Sequence, residues 1–211
     1  MYIIGDKDMR RTKEEAELTC QSILDAATKE FSRNGYAATQ LEDIAETAAV
    51  TRGAVYHHSS GGKADRYADI IEQAKQTGNK AINTAIQESG LFLNILQRIL
   101  LYTLKLLPKD AQFRAAMSLL IFNSGDSPDL FLLRAARLEQ GLMQKDQITG
   151  FFQMAIEQQA VRNDLDPNIA ARAFWAYQNG LILMWLSAPG SISVEQHANG
   201  LAEIFVRGIA G

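Results

Sequence analysis

The side chains best equipped for chemistry sit close together. Thr51, Arg52, Tyr56, His57 and His58 fall within one short stretch, with Gly53 among them. They offer a hydroxyl, a guanidinium, a phenol and two imidazoles, which suits hydrogen bonding to phosphates and base edges. Gly53 removes a side chain where a helix must approach a groove. The same residues are poorly placed for metal. His57 and His58 are adjacent and would project about 100° apart on a helix, so they cannot easily share an ion. The third histidine, His197, is remote in sequence. The single cysteine, Cys20, excludes an intrachain disulfide framework and reads as a small surface or boundary residue. There is no Gly-rich phosphate loop, nucleophile elbow or catalytic carboxylate pair. Neither an enzyme nor a cofactor is expected.

The elements that must hold these residues read as helices throughout. Leu18, Ile23, Leu24, Ala27 and Phe31 make one stripe over about 12–33, stopped at Asn34-Gly35. Thr39-Gln40-Leu41-Glu42 reads as a capping box opening a second helix with Ile44 and Ala45 inward. A turn at Ala49-Val50 leads to a third short helix over about 51–58. Further helices are expected at about 63–87, 91–107, 110–123, 129–162, 168–187 and 193–209, broken at Pro108, Asn123–Pro128, Asp164–Pro167 and Ala188–Gly190. The fold class is therefore all-α, with about nine helices. Two short helices joined by a tight turn make a helix-turn-helix, and an ordinary hairpin with a polar face fits the spacing equally well.

Bulk properties narrow the choice little. The chain has 211 residues, 47% of them apolar, enough for a full core. The longest apolar runs fall far short of the roughly 20 residues that cross a bilayer, and no secretory leader is expected. A cytoplasmic protein without a membrane partner is expected. Net charge is −3, and residues 1–75 hold 10 Lys+Arg against 13 Asp+Glu. A DNA-binding footprint would have to come from placement rather than total charge.

Ile23–Ala27, Phe31, Gly35-Tyr36, Thr39, Ile44-Ala45 and Val50–His58 resemble the DNA-binding signature of the TetR family over about residues 11–71. The opening Arg10–Ala16, and Gly180-Leu181, Trp185-Leu186 and Ala188-Pro189, are similar to its multidrug-efflux repressors. The resemblance implies a helix-turn-helix domain over 10–60 and a ligand-binding and dimerisation domain over 61–211. It implies phosphate contacts from Thr39, Tyr56, His58 and Lys63, and major-groove contacts from Thr51, Arg52 and Gly53; His57 is expected on the same DNA-binding face. The partners it implies are a double-stranded operator, a small hydrophobic or aromatic ligand and a second copy of the chain.

Three departures stand out. Ala49 occupies the turn position where the family places Gly, Ser59-Ser60 replaces a buried Phe and displaces Lys63 by one residue, and Arg66 replaces a buried Leu. They are expected to loosen the joint between the third and fourth helices. They also motivate an alternative, a ligand- or protein-binding module with weakened operator binding.

In the second domain Phe174, Tyr177, Leu181 and Met184, with Leu201, Ile204, Phe205 and Gly208, form apolar stripes expected to make the dimer seam. By the resemblance Leu100, Met117, Ile121, Ile148, Trp175, Gln178 and Asn179 line the ligand site. Between Asn79 and Asn123 the only acids are Glu88 and Asp110, neither on an apolar stripe. A neutral or planar aromatic ligand is favoured over a cation.

Overall fold

The computed structural model describes residues 6–57, 62–88, 90–122, 127–190 and 193–211. They form nine α-helices and one 3-10 turn, with no strand among the described residues: α1 (Asp6–Ala38), α2 (Leu41–Thr47), α3 (Arg52–His57), α4 (Lys63–Gln87), α5 (Phe92–Lys109), α6 (Ala111–Phe122), the 3-10 turn (Pro128–Leu130), α7 (Phe131–Glu157), α8 (Pro167–Ser187) and α9 (Val194–Ile209). The chain packs as two compact units, residues 1–73 with 115–130 and residues 74–114 with 131–211. This is a different cut from the division expected at residue 60. The first unit recruits the start of α4 and most of α6.

The first unit is built on an aromatic cluster. Phe31 and Tyr67 are fully buried and Tyr36 nearly so, with ring centroids 5.4–6.1 Å apart. Ile23, Ala27, Ile44 and Val55 close the core around α1, α2 and α3. The Tyr67 hydroxyl donates to Leu119 O at 3.4 Å, and that of Tyr36 donates to Asp129 Oδ2. Burial, then the Asp129 hydrogen bond, push the Tyr36 phenol well above its ordinary range.

The expected stop at Asn34-Gly35 is a break in helical geometry: Gly35 has φ 77° and ψ 160°, and a short turn beyond it carries α1 on to Ala38. Two expectations at the start of α2 are corrected. Thr39 is fully buried, its hydroxyl donating to Gly35 O at 2.8 Å with Glu30 O 3.2 Å away. It satisfies carbonyls at the bend and is not presented to a phosphate. The cap of α2 falls one residue later, where the Gln40 N–H donates to Asp43 Oδ2 at 2.7 Å.

The turn after α2 is a Schellman closure. Val50 N–H donates to Ala45 O at 3.0 Å and Ala49 N–H to Glu46 O at 3.1 Å, with Ala49 at φ 53°. This is the left-handed position where a Cβ is strained. Ala49→Gly is expected to raise stability by about 0.5–1 kcal/mol, the relief of strain exceeding the added freedom of the unfolded chain. An unchanged or lower midpoint in urea unfolding would contradict it. The Ser59-Ser60 joint lies outside the described residues.

In the second unit Leu96, Leu100, Phe152, Ala155, Ala171, Phe174 and Ala202 form the core between α5, α7, α8 and α9. Helix α5 extends past its expected end through Pro108 to Lys109, and Arg114 Nη1 donates to Leu107 O at 2.8 Å, covering a carbonyl of the last turn. Helix α7 ends at Glu157, short of the expected 162, in a second Schellman closure with Gln159 at φ 55°. Asp166 caps α8 by accepting from Asn168 and Ile169 N–H groups, with Pro167 in the first turn.

Candidate DNA-binding face and ligand cavity

Helix α3 opens with Thr51, whose Oγ1 accepts from the Ala54 N–H at 3.2 Å. Val55 anchors the helix in the core, while Thr51, Arg52, Gly53 and Tyr56 are exposed on its outer side. A Cβ placed on Gly53 would meet nothing closer than Thr51 Oγ1 at 3.8 Å. Among the described residues nothing calls for glycine at that position. His57 ends α3, and His58 lies outside the described residues.

Arg52 is already engaged. Its Nη1 lies 2.6 Å from Glu42 Oε1 on α2, and its Nη2 donates to the Tyr56 hydroxyl at 3.3 Å. The guanidinium carbon stands 5.5 Å from the centre of the Tyr56 ring. The Tyr56 hydrogen bond and the Glu42 charge both raise the Arg52 pKa further. Lys63 is half-buried at the start of α4. Its Nζ donates to Ala37 O at 3.3 Å and sits 4.5 Å from the centre of the Tyr36 ring. Lys63 would have to leave these partners to reach a phosphate. Arg66, the residue in place of the expected Leu, is buried and paired with Asp69 at 3.1 Å.

The second unit contains a cavity of about 400 Å³ between α4, α5, α7 and α8. This is within the size range of small-molecule sites. Ile82, Ile86, Ile95, Leu96, Ile99 and Ile148 supply aliphatic walls, and Phe151, Phe174 and Trp175 supply rings. Among the described residues of this lining, four carboxamides, Asn79, Asn83, Gln147 and Gln178, supply the polar groups with the Trp175 indole, and none is charged. Gln178 Nε2 donates to Thr103 Oγ1 at 2.9 Å, which fixes the orientation of its amide. Of the residues expected here, Ile148, Trp175 and Gln178 are brought together. Leu100 is fully buried in the core, Asn179 bonds the Trp175 carbonyl, and Met117 and Ile121 belong to the first unit. Sequence reasoning missed Asn79 and Asn83. Two asparagines at i and i+4 inside a helix, where asparagine is a poor helix former, were the available signal.

The expected dimer stripes divide differently. Phe174 and Leu181 are buried in the protomer itself. The Tyr177 hydroxyl donates to Leu201 O at 2.8 Å, and the Phe205 ring packs 5.4 Å from Phe174 and 5.3 Å from Tyr177. These contacts join α8 to α9 within one chain; burial corrects the placement of Phe174 and Leu181 in a seam, while Tyr177, Leu201 and Phe205 stay half-buried. Met184, Ile204 and Gly208 are exposed. Ile169, Ala173, Ala176 and Met184 recur at helical spacing on an uncharged exposed face of α8, with Gly180 partly covered among them. Gly200, Ile204 and Gly208 are exposed at similar spacing on α9, with the Arg207–Glu203 ion pair beside them.

A helix-turn-helix with an exposed polar recognition face, in a chain whose second helical unit holds a cavity lined by apolar groups and carboxamides, is the architecture of a ligand-responsive DNA-binding regulator. Residues 23–61 match the bacterial regulatory proteins of the tetR family, and residues 92–210 match the C-terminal region of the MAATS-type transcriptional repressors. The chain belongs to the TetR family of bacterial transcriptional regulators. It is 33% identical over 187 residues to the regulator TtgR of Pseudomonas putida, covering 88% of this chain and 89% of that one. It is 30% identical over 198 residues to AcrR of Shigella flexneri, covering 93% and 92%. Among solved structures it is similar to NalD, the secondary repressor of the MexAB-OprM multidrug efflux pump in Pseudomonas aeruginosa. The TM-score is 0.78 at 26% identity, over 92% of this chain and 98% of that one. Among the described residues no helix is long and apolar enough to cross a membrane, and no three His, Cys, Asp or Glu side chains gather as metal ligands.

Proposed function

We propose that the chain is a cytoplasmic homodimeric repressor that binds an inverted-repeat operator through α3. A neutral aromatic compound entering the cavity of the second unit releases it, and the controlled genes encode an efflux system. The observation that carries the DNA-binding part is the outer face of α3, with Gly53 open to solvent and no described residue calling for glycine there. Similarity to TtgR, AcrR and NalD supports the repressor role and the efflux context. The cavity lining supports the ligand class: rings and aliphatic walls favour a planar apolar body, and carboxamides orient hydroxyl or carbonyl groups. A cation would lose its hydration there, and the described lining supplies no carboxylate to replace it. The exposed small and apolar residues of α8 and α9 support a two-fold seam of facing helices.

The test is selection of the tightest duplex from a random-sequence pool, followed by footprinting on it. The proposal expects a two-fold symmetric footprint, lost on adding a neutral hydroxylated biaryl and retained with a quaternary ammonium compound of similar size. Gly53→Ala separates groove contact from folding. It is expected to raise stability by about 0.5–1 kcal/mol, because alanine is the better helix former. It should also weaken binding to the selected duplex by about tenfold or more, because the added methyl stands where the groove must approach. Unaltered DNA affinity in Gly53→Ala would remove α3 from the groove.

A further inference from the structure

We propose that Glu42 is a specificity-determining residue, which competes with base edges for the Arg52 guanidinium; this rests on the reading of α3 as the groove-contacting helix. Glu42 lies in the first turn of α2 and Arg52 is the first residue of α3, so the pair spans the helix-turn-helix. The carboxylate holds Nη1 at 2.6 Å and the Tyr56 hydroxyl holds Nη2 at 3.3 Å. Both terminal nitrogens, the fork that would grip guanine O6 and N7, are thus occupied inside the protomer. The two side chains are 63% and 51% exposed, so the pair is weak enough to be exchanged for another acceptor.

Exchange is not equally favourable on all DNA. A phosphate met in passing replaces one oxyanion by another and leaves Glu42 unpaired beside a polyanion, so Arg52 gains little. A guanine edge offers two acceptors at once in the geometry of the fork, and the exchange goes forward. Glu42 therefore penalises random DNA more than the matched site, a repulsive element of the kind specific binding needs. The excess of acids over bases in residues 1–75 acts in the same direction.

The experiment measures four full-length proteins, wild type, Glu42→Gln, Arg52→Ala and the double variant. Each is titrated with two duplexes of equal length, the tightest one selected by the wild type and one of alternating A and T. Glu42→Gln is expected to tighten binding to the A/T duplex by about three- to fivefold and to the selected duplex by less than about twofold, so that their ratio falls. In the Arg52→Ala background the same change should leave the ratio unaltered. Equal tightening on both duplexes would overturn the proposal, since Glu42 would then act only as a charge near DNA. Weaker binding to the selected duplex would overturn it in the opposite sense, with Glu42 holding Arg52 in its reading position. If Arg52→Ala relaxes the ratio and Glu42→Gln does not, the proposal alone fails. If Arg52→Ala changes nothing, the assignment of Arg52 as the base reader fails and takes the proposal with it.

Discussion

Ile204→Arg should yield a folded monomer, whereas Leu181→Arg should unfold the protomer. The two residues lie on neighbouring helices and both are apolar, so hydropathy alone would treat them alike. Their surroundings differ. Ile204 is 67% exposed, on the α9 face that also carries Gly200 and Gly208. In the proposed seam an arginine there meets its own symmetry mate, so each dimer buries two unpaired like charges. The penalty is several kcal/mol per interface, enough to dissociate the dimer at micromolar concentration. Leu181 is 5% exposed and lies among Leu104, Trp185, Val194, Ala198 and Leu201. An arginine there forfeits the burial of a leucine, about 2–5 kcal/mol, and must find water for a guanidinium in an apolar site. Sedimentation velocity and thermal melting by circular dichroism separate the outcomes. An unchanged dimer for Ile204→Arg would move the seam off α9.

That contrast marks how far the sequence could be read. Spacing of apolar residues located all nine helices, because a 3.6-residue period is imposed by burying one side of each. It could not say what covers each side. Helix α8 is apolar around most of its circumference, and Phe174 and Leu181 turn out to face α5 and α9 of the same chain, while Ile169, Ala173 and Met184 remain uncovered. The polar site residues show the same division. Thr51, Arg52, Gly53 and Tyr56 were legible as an outward set because Val55 fixes the helix phase. Thr39 was not, since its burial depends on a bend at Gly35 that leaves carbonyls for its hydroxyl to satisfy. Lys63 reads from sequence as a free cation, yet Ala37 O and the Tyr36 ring hold it, partners supplied by a helix more than 20 residues earlier. The left-handed turn at Ala49 was legible only through the family resemblance, since alanine carries no turn signal of its own.

The largest effect within the DNA-binding unit is expected from Tyr67→Ala. Tyr67 lies beyond residues 23–61, which match the family's DNA-binding region, yet its side chain is fully buried against Phe31 and Tyr36. Its hydroxyl also ties α4 to the Leu119 carbonyl of α6. Removing a buried aromatic of this size costs about 3–5 kcal/mol, because the cavity left behind collapses only in part. Tyr67→Phe keeps the ring and loses one hydrogen bond, so it should cost only about 1 kcal/mol. The loss should be local. The core of Leu96, Phe152 and Phe174 belongs to the other unit. Amide exchange in Tyr67→Ala should therefore accelerate over residues 23–57 while protection around 148–177 persists. DNA binding should fail at temperatures where the ligand cavity is still formed. Equal acceleration in both regions would mean that the chain unfolds as one cooperative block. The helix-turn-helix would then draw its stability from the whole molecule rather than from the aromatic cluster.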